Sequence, residues 1–131
     1  MIGIDTNVLV RYLAQDDPAQ AAVATDLIEK RLSALNPGFI SVVVMAETAW
    51  VLARSYRLRG DEIATAIERM LQSDWLIVEN EQEVFAAMTA IKDGRGEFAD
   101  ALIVALGAAA GCSCTVTFDR EALRLPGFEP V

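Results

Sequence analysis

The stretch Met1-Ile2-Gly3-Ile4-Asp5-Thr6-Asn7-Val8-Leu9-Val10 decides the fold. A short apolar run closed by an acid reads as a buried strand over residues 1–5. The next residues return to helical spacing, which predicts a short helix over 6–13. The same alternation continues along the chain. Asp17 followed by Pro18 is a cap with proline at the first helical position, opening a helix to about residue 32. Asn36-Pro37-Gly38 is a turn before a strand over 39–41. Helices follow over 42–56 and 60–73, then a strand over 75–78. Asn80 with Glu83 three residues later predicts a capping box and a helix to about residue 93. Gly94-Arg95-Gly96 is a flexible break, and residues 97–110 form a helix ended by Gly111. A strand over 114–117, a helical turn over 120–125 and an edge strand in the Pro-Gly tail complete the chain. Strands alternating with helices predict an α/β fold with a mainly parallel sheet. The 131 residues are expected to form one domain, 1–131, large enough for a real core.

Four acids interrupt this apolar framework. Asp5 closes the first run. Glu47 lies between Val42-Val43-Val44-Met45-Ala46 and Ala49-Trp50-Val51-Leu52. Asp100 opens Ala101-Leu102-Ile103-Val104-Ala105-Leu106, and Asp119 follows Thr115-Val116-Thr117-Phe118. Carboxylates are almost never buried unless paired or bound to metal. Their placement therefore predicts one shared cation site. In an open parallel sheet, functional groups gather at the carboxyl ends of the strands. Asp5 and Asp119 are thus expected to be neighbours. Glu47 shares a helix face with Val43, Trp50 and Val51, and Asp100 shares one with Ile103 and Val104.

Each acid also has a plainer role open to it. Asp5 can cap the helix at Thr6, and Asp119 the turn at Arg120. Asp100 suits the first turn of its helix, as does Glu97, whose alternative is service beside the site. Glu47 has no capping role, but Arg54 or Arg57 is a candidate partner. Glu79, Glu81 and Glu83 read as a solvated helix start.

The chain has no histidine. Metal-free RNA cleavage through the 2′-hydroxyl commonly relies on histidine as acid and base. An all-oxygen donor set suits Mg²⁺ or Mn²⁺ instead, and zinc lacks its usual nitrogen and sulfur ligands. Hard cations of this kind position and activate water and stabilise charge on an attacked phosphate. Cys112 and Cys114 are too close in sequence for an ordinary bridge on one strand. They are expected as small buried residues in a reducing compartment.

The net charge of −8 argues against an electrostatic nucleic-acid binder, although bound cations reverse the local sign. It also suits a basic partner. At 53% hydrophobic, the composition leaves room for a subunit interface. The longest apolar stretch, from Ala101 to Cys114, falls short of the roughly twenty residues a membrane span needs. No basic region precedes an apolar one at the N-terminus, so a cytoplasmic location is expected.

Taken in order, Asp5-Thr6-Asn7-Val8-Leu9-Val10, Glu47 in a helix after a short strand, Phe98-Ala99-Asp100-Ala101-Leu102-Ile103 and Thr117-Phe118-Asp119 resemble the PIN-domain family. Within it they look like the VapC-type toxins of toxin–antitoxin pairs. The resemblance implies a three-layer α/β/α sandwich and an Mg²⁺- or Mn²⁺-dependent ribonuclease. It carries Asp5, Glu47, Asp100 and Asp119 over as the acidic site. Asp5 and Asp100 rank first as direct ligands, then Glu47, with Asp119 acting through water. Thr117 matches a supporting hydrogen-bonding position, and Asn7 a frequent polar position near the first acid. Phe118 departs from the polar residue many relatives carry there.

The resemblance further implies a homodimer and a small antitoxin whose basic segment enters the acidic pocket. Arg11, Arg54, Arg57, Arg59, Lys92 and Arg95 are candidates to hold RNA, Arg95 foremost. Two other functions stay open. One is a non-catalytic acidic module that binds a basic partner. The other is a haloacid-dehalogenase-like phosphatase, whose first motif Ile4 to Leu9 resembles, although it wants an aspartate where Asn7 stands.

Overall fold

Five short strands alternate with six helices, and the computed structural model describes every residue from Met1 to Val131. The order is β1 (Ile2–Gly3), α1 (Thr6–Ala14), α2 (Pro18–Asp26), β2 (Gly38–Ile40), α3 (Val42–Arg54) and α4 (Gly60–Gln72). Then come β3 (Leu76–Val78), α5 (Glu81–Ile91), α6 (Phe98–Ala109), β4 (Thr115–Thr117) and β5 (Phe128–Pro130). Every strand pairing is parallel, as expected for an α/β fold. No helix is long and apolar enough to cross a membrane.

Local chemistry explains where the first three helices begin. Asp5 accepts the Thr6 N–H at 2.8 Å and starts α1. Asp17 accepts the Gln20 N–H at 3.0 Å, with Pro18 in the first turn of α2. That helix runs on through a wider π-type turn over Leu27–Arg31, so the helical pattern continues to Leu32. Two side chains serve the start of α3. Ser41 accepts from the Val44 N–H at 3.2 Å, and Glu79 accepts from the Val42 N–H at 2.9 Å. Both satisfy amides with no partner inside the helix. Glu79 is therefore tied to α3 rather than merely solvated.

The capping box expected at Asn80 does not form. Asn80 has a left-handed backbone, φ 51°, and its side chain makes no cap bond, because a capping side chain needs an extended backbone to reach the first turn. Gly96 also has positive φ, 64°, and a side chain there would meet Leu125 at 2.7 Å. The break before α6 is thus shaped for glycine on two counts.

Strand β2 is central, pairing with β1 (Ile2 opposite Gly38) and with β3 (Gly38 opposite Leu76). β5 is an edge strand on β4, with Thr115 opposite Phe128. The strands form two ladders and not one continuous sheet, so β1 and β4 are not hydrogen-bonded neighbours. The core is built by Leu9, Ile40, Met45, Leu52, Ile67, Met88 and Ile91, all essentially inaccessible. Ile77 and Val116, the middle residues of β3 and β4, are exposed, unlike residues of a sheet covered on both faces. Cys112 is exposed and Cys114 half-buried, correcting the expectation of two buried thiols. Gly111, with φ 98°, turns the chain along the surface there after α6.

Thr48 of α3 is 1% exposed, and its hydroxyl has no hydrogen-bond partner. An unsatisfied buried hydroxyl costs about 1–3 kcal/mol. Thr48→Val is expected to stabilise the fold by roughly 1 kcal/mol, raising the melting temperature by a few degrees in a calorimetric scan. A lower melting temperature would show that the hydroxyl has a partner.

Candidate active site

Strand polarity sets where the acids stand. Asp5 lies just past β1 and Asp119 just past β4. Helix α3 leaves the carboxyl end of β2 after the single residue Ser41, so Glu47 sits in its early turns. Helix α6 joins β4 through a short connection and therefore runs back along it. That puts the α6 start, with Asp100 in its first turn, at the carboxyl end of β4. All four acids thus belong to strand carboxyl ends, where open parallel sheets carry function.

The acids form two pairs. Asp5 and Glu47 line one cleft of about 340 Å³ with Thr6, Asn7, Arg11 and Tyr56. The buried Thr6 hydroxyl donates to the Glu47 carboxylate, joining residues 41 apart in the chain. One Asp5 oxygen caps α1. In the second pair, Asp100 is half-buried. Burial holds its carboxyl above the usual carboxylate range, and the charges of Glu97 and Asp119 raise it further. Asp119 accepts the Glu121 N–H at 2.9 Å, while its own N–H is bound by the Thr117 hydroxyl at 3.0 Å.

The sequence expectations need three corrections here. Asp5, Glu47 and Asp119 are exposed, not buried, and only Asp100 is partly withdrawn from water. Val43 and Trp50, which share a face with Glu47, are 72% and 53% exposed, so that apolar stripe faces outward. Second, Arg54 pairs with Glu97 at 2.9 Å, and neither it nor Arg57 meets Glu47. Third, no three acidic or thiol side chains gather closely enough to hold an ion. Helix α3, which carries Glu47, nevertheless packs against both α1 and α6 and links the two pairs.

None of the four acids takes part in an ion pair. Unneutralised carboxylate oxygens, without nitrogen or sulfur donors, fit the chemistry of a hard divalent cation. Arg95 has no ion-pair or hydrogen-bond partner either. Phe118 is 90% exposed, beside the capped Asp119.

Two features lay beyond the sequence patterns. The grip of Thr6 on Glu47 is non-local and leaves no local signal. The second is a latch on the cleft wall. Arg11 reaches Gln20 at 2.7 Å and Asp16 at 3.2 Å, and the Tyr56 hydroxyl donates to Asp16 at 2.7 Å. Its only trace in the sequence is a polar cluster at the α1–α2 junction.

Because the folded-state pKa of Asp100 is raised, the folded chain takes up its proton at a higher pH than the unfolded chain does. Above that raised value the charged form weakens the fold, and stability returns as pH falls through it. In chelator, Asp100→Asn is expected to raise the melting temperature near pH 7. The gain should vanish by about pH 3, where Asp100 is protonated in both states. A melting temperature lowered at neutral pH would mean that the charge is stabilised by a neighbour.

No curated protein matches this chain. A model of the PIN domain matches residues 2–127, nearly its whole length. PIN domains are generally metal-dependent nucleases and commonly bind divalent metals. With that match and its parallel α/β fold of six helices, the chain belongs to the PIN domain family.

Proposed function

We propose that the protein is an Mg²⁺- or Mn²⁺-dependent endoribonuclease and the toxin of a type II toxin–antitoxin pair. The observation that carries this is four carboxylates at strand carboxyl ends, none neutralised by lysine or arginine, in a PIN domain chain. The order and type of the acidic motifs support the VapC-like assignment.

Asp5 and Asp100 would hold the cation directly, one from each pair, with Glu47 joining from the Asp5 side and Asp119 acting through water. When bound, the cation supplies an activated water and offsets charge on the attacked phosphate. The chain's own part is positioning. Thr6 fixes the direction of Glu47. Thr117 and the Glu121 N–H fix the turn that presents Asp119. Asn7 offers a polar group at the cleft edge. Arg11, on the cleft wall, and the unpaired Arg95 are the cations best placed to meet an RNA phosphate.

An acidic cleft lined by Asp5 and Glu47 suits a basic antitoxin segment, which would block it. A homodimer is in keeping with the 53% hydrophobic composition. Both are tested by purifying the chain from its native cells and weighing the complex.

The decisive test is incubation with total RNA in Mg²⁺, Mn²⁺ or chelator, followed by end-mapping. Cleavage is expected only with divalent cation and should leave 5′-phosphates, since water attacks. Asp5→Asn and Asp100→Asn should each lose about 100-fold or more of the rate. Thr6→Val should lose about 10-fold or more, and Thr6→Ser should keep most activity. Cyclic phosphate ends, cleavage in chelator or full activity in Asp100→Asn would overturn the assignment.

A further inference from the structure

A pocket of about 150 Å³ lies between α3, the start of α4, the end of α5 and the start of α6. Trp50, Ala53, Leu58 and Phe98 make much of its wall. Its volume is that of a cavity that accepts one six-membered aromatic ring. It falls below the roughly 300–1,000 Å³ typical of a whole small-molecule site. The occupant that fits is therefore a single flat ring.

Three further features narrow its chemistry. Trp50 is 53% exposed, although its α3 neighbours Ala49 and Leu52 are buried. A large indole half in water beside an apolar hollow is a stacking surface lacking its partner. Next, Glu97, Phe98 and Ala99 of its wall immediately precede Asp100 along the start of α6, so the pocket is one residue from an acid assigned to the chemistry. Last, Glu97 also belongs to the 2.9 Å pair with Arg54. That pair sets an acceptor and a donor fork side by side, the groups that read the edge of a base. It is solvent-exposed, and such pairs open readily.

We propose that this pocket takes one unstacked pyrimidine base of the RNA strand being cut, with Trp50 as its stacking wall and Arg54 and Glu97 at its edge. Proteins read single-stranded RNA by splaying bases onto aromatic rings and bonding their edges. The pocket would seat a nucleotide close to the scissile phosphate and so set position as well as preference. This inference rests on the ribonuclease assignment above.

Only Trp50 and Trp75 are tryptophans, so a Trp75→Phe background isolates the Trp50 emission. That protein is titrated with a mixed-sequence single-stranded oligoribonucleotide in Ca²⁺, with strand integrity checked on a gel. Binding is followed in parallel by the anisotropy of labelled RNA. Trp50 emission should quench over the concentrations at which anisotropy rises. Trp50→Ala should bind RNA about tenfold or more weakly, and Trp50→Phe should recover most of the affinity. In Mn²⁺, Trp50→Ala should also lose base preference at one position of the cleavage map. RNA that is bound and cut without a Trp50 response, by a Trp50→Ala variant of unchanged affinity, overturns the pocket and leaves the nuclease assignment standing. RNA neither bound nor cut overturns both. A Trp50 signal that follows protein concentration instead of RNA also overturns the pocket, since a second copy would then cover it.

Discussion

Like charges held at strand ends, none of them in an ion pair with lysine or arginine, are the constraint on which this molecule is organised. Asp100 shows it most directly, because burial and the nearby charges of Glu97 and Asp119 all disfavour its ionised form. The fold sustains that repulsion from elsewhere. Burying a side chain such as Ile40, Met45 or Leu52 stabilises a protein by about 1.5–3 kcal/mol. Those three residues anchor β2 and α3, the elements that bring Glu47 forward.

Capping and function are not rivals here. Asp5 gives one oxygen to the Thr6 N–H, and the same bond starts the helix that carries Thr6. Thr6 then holds Glu47 from the neighbouring element. Asp119 is used similarly, closing the turn at Glu121 while Thr117 holds its backbone. Each cap fixes a carboxylate at the rim, so local stability and site geometry come from one set of bonds. Arg54 is kept on Glu97, away from Glu47.

The sequence was legible where the governing interactions are local. Pro18 after Asp17, the helical spacing of residues 42–56 and the apolar runs around Ile40 and Leu76 lie close to the observed elements. Even the π-type continuation of α2 obeys the helical pattern. Asn80 misled because the capping-box pattern fixes residue types and not the backbone angle that lets the side chain reach. Spacing puts Glu47 among apolar residues, but it reveals which residues share a face and not whether anything covers it. Val43 and Trp50 leave that face open. The Thr6–Glu47 bond and the Arg54–Glu97 pair join distant segments, and nothing in either segment announces them. The break between the β1 and β4 ladders is likewise a matter of packing.

The central claim is that the two acidic pairs act on one cation, and Mn²⁺ binding measured by calorimetry and electron paramagnetic resonance tests it most directly. A joint site predicts one class of bound ion whose affinity falls about tenfold or more in Asp5→Asn and in Asp100→Asn alike, because each removes a ligand from the same cage. An affinity lost in one variant and untouched in the other, or no binding by the intact chain, would contradict it.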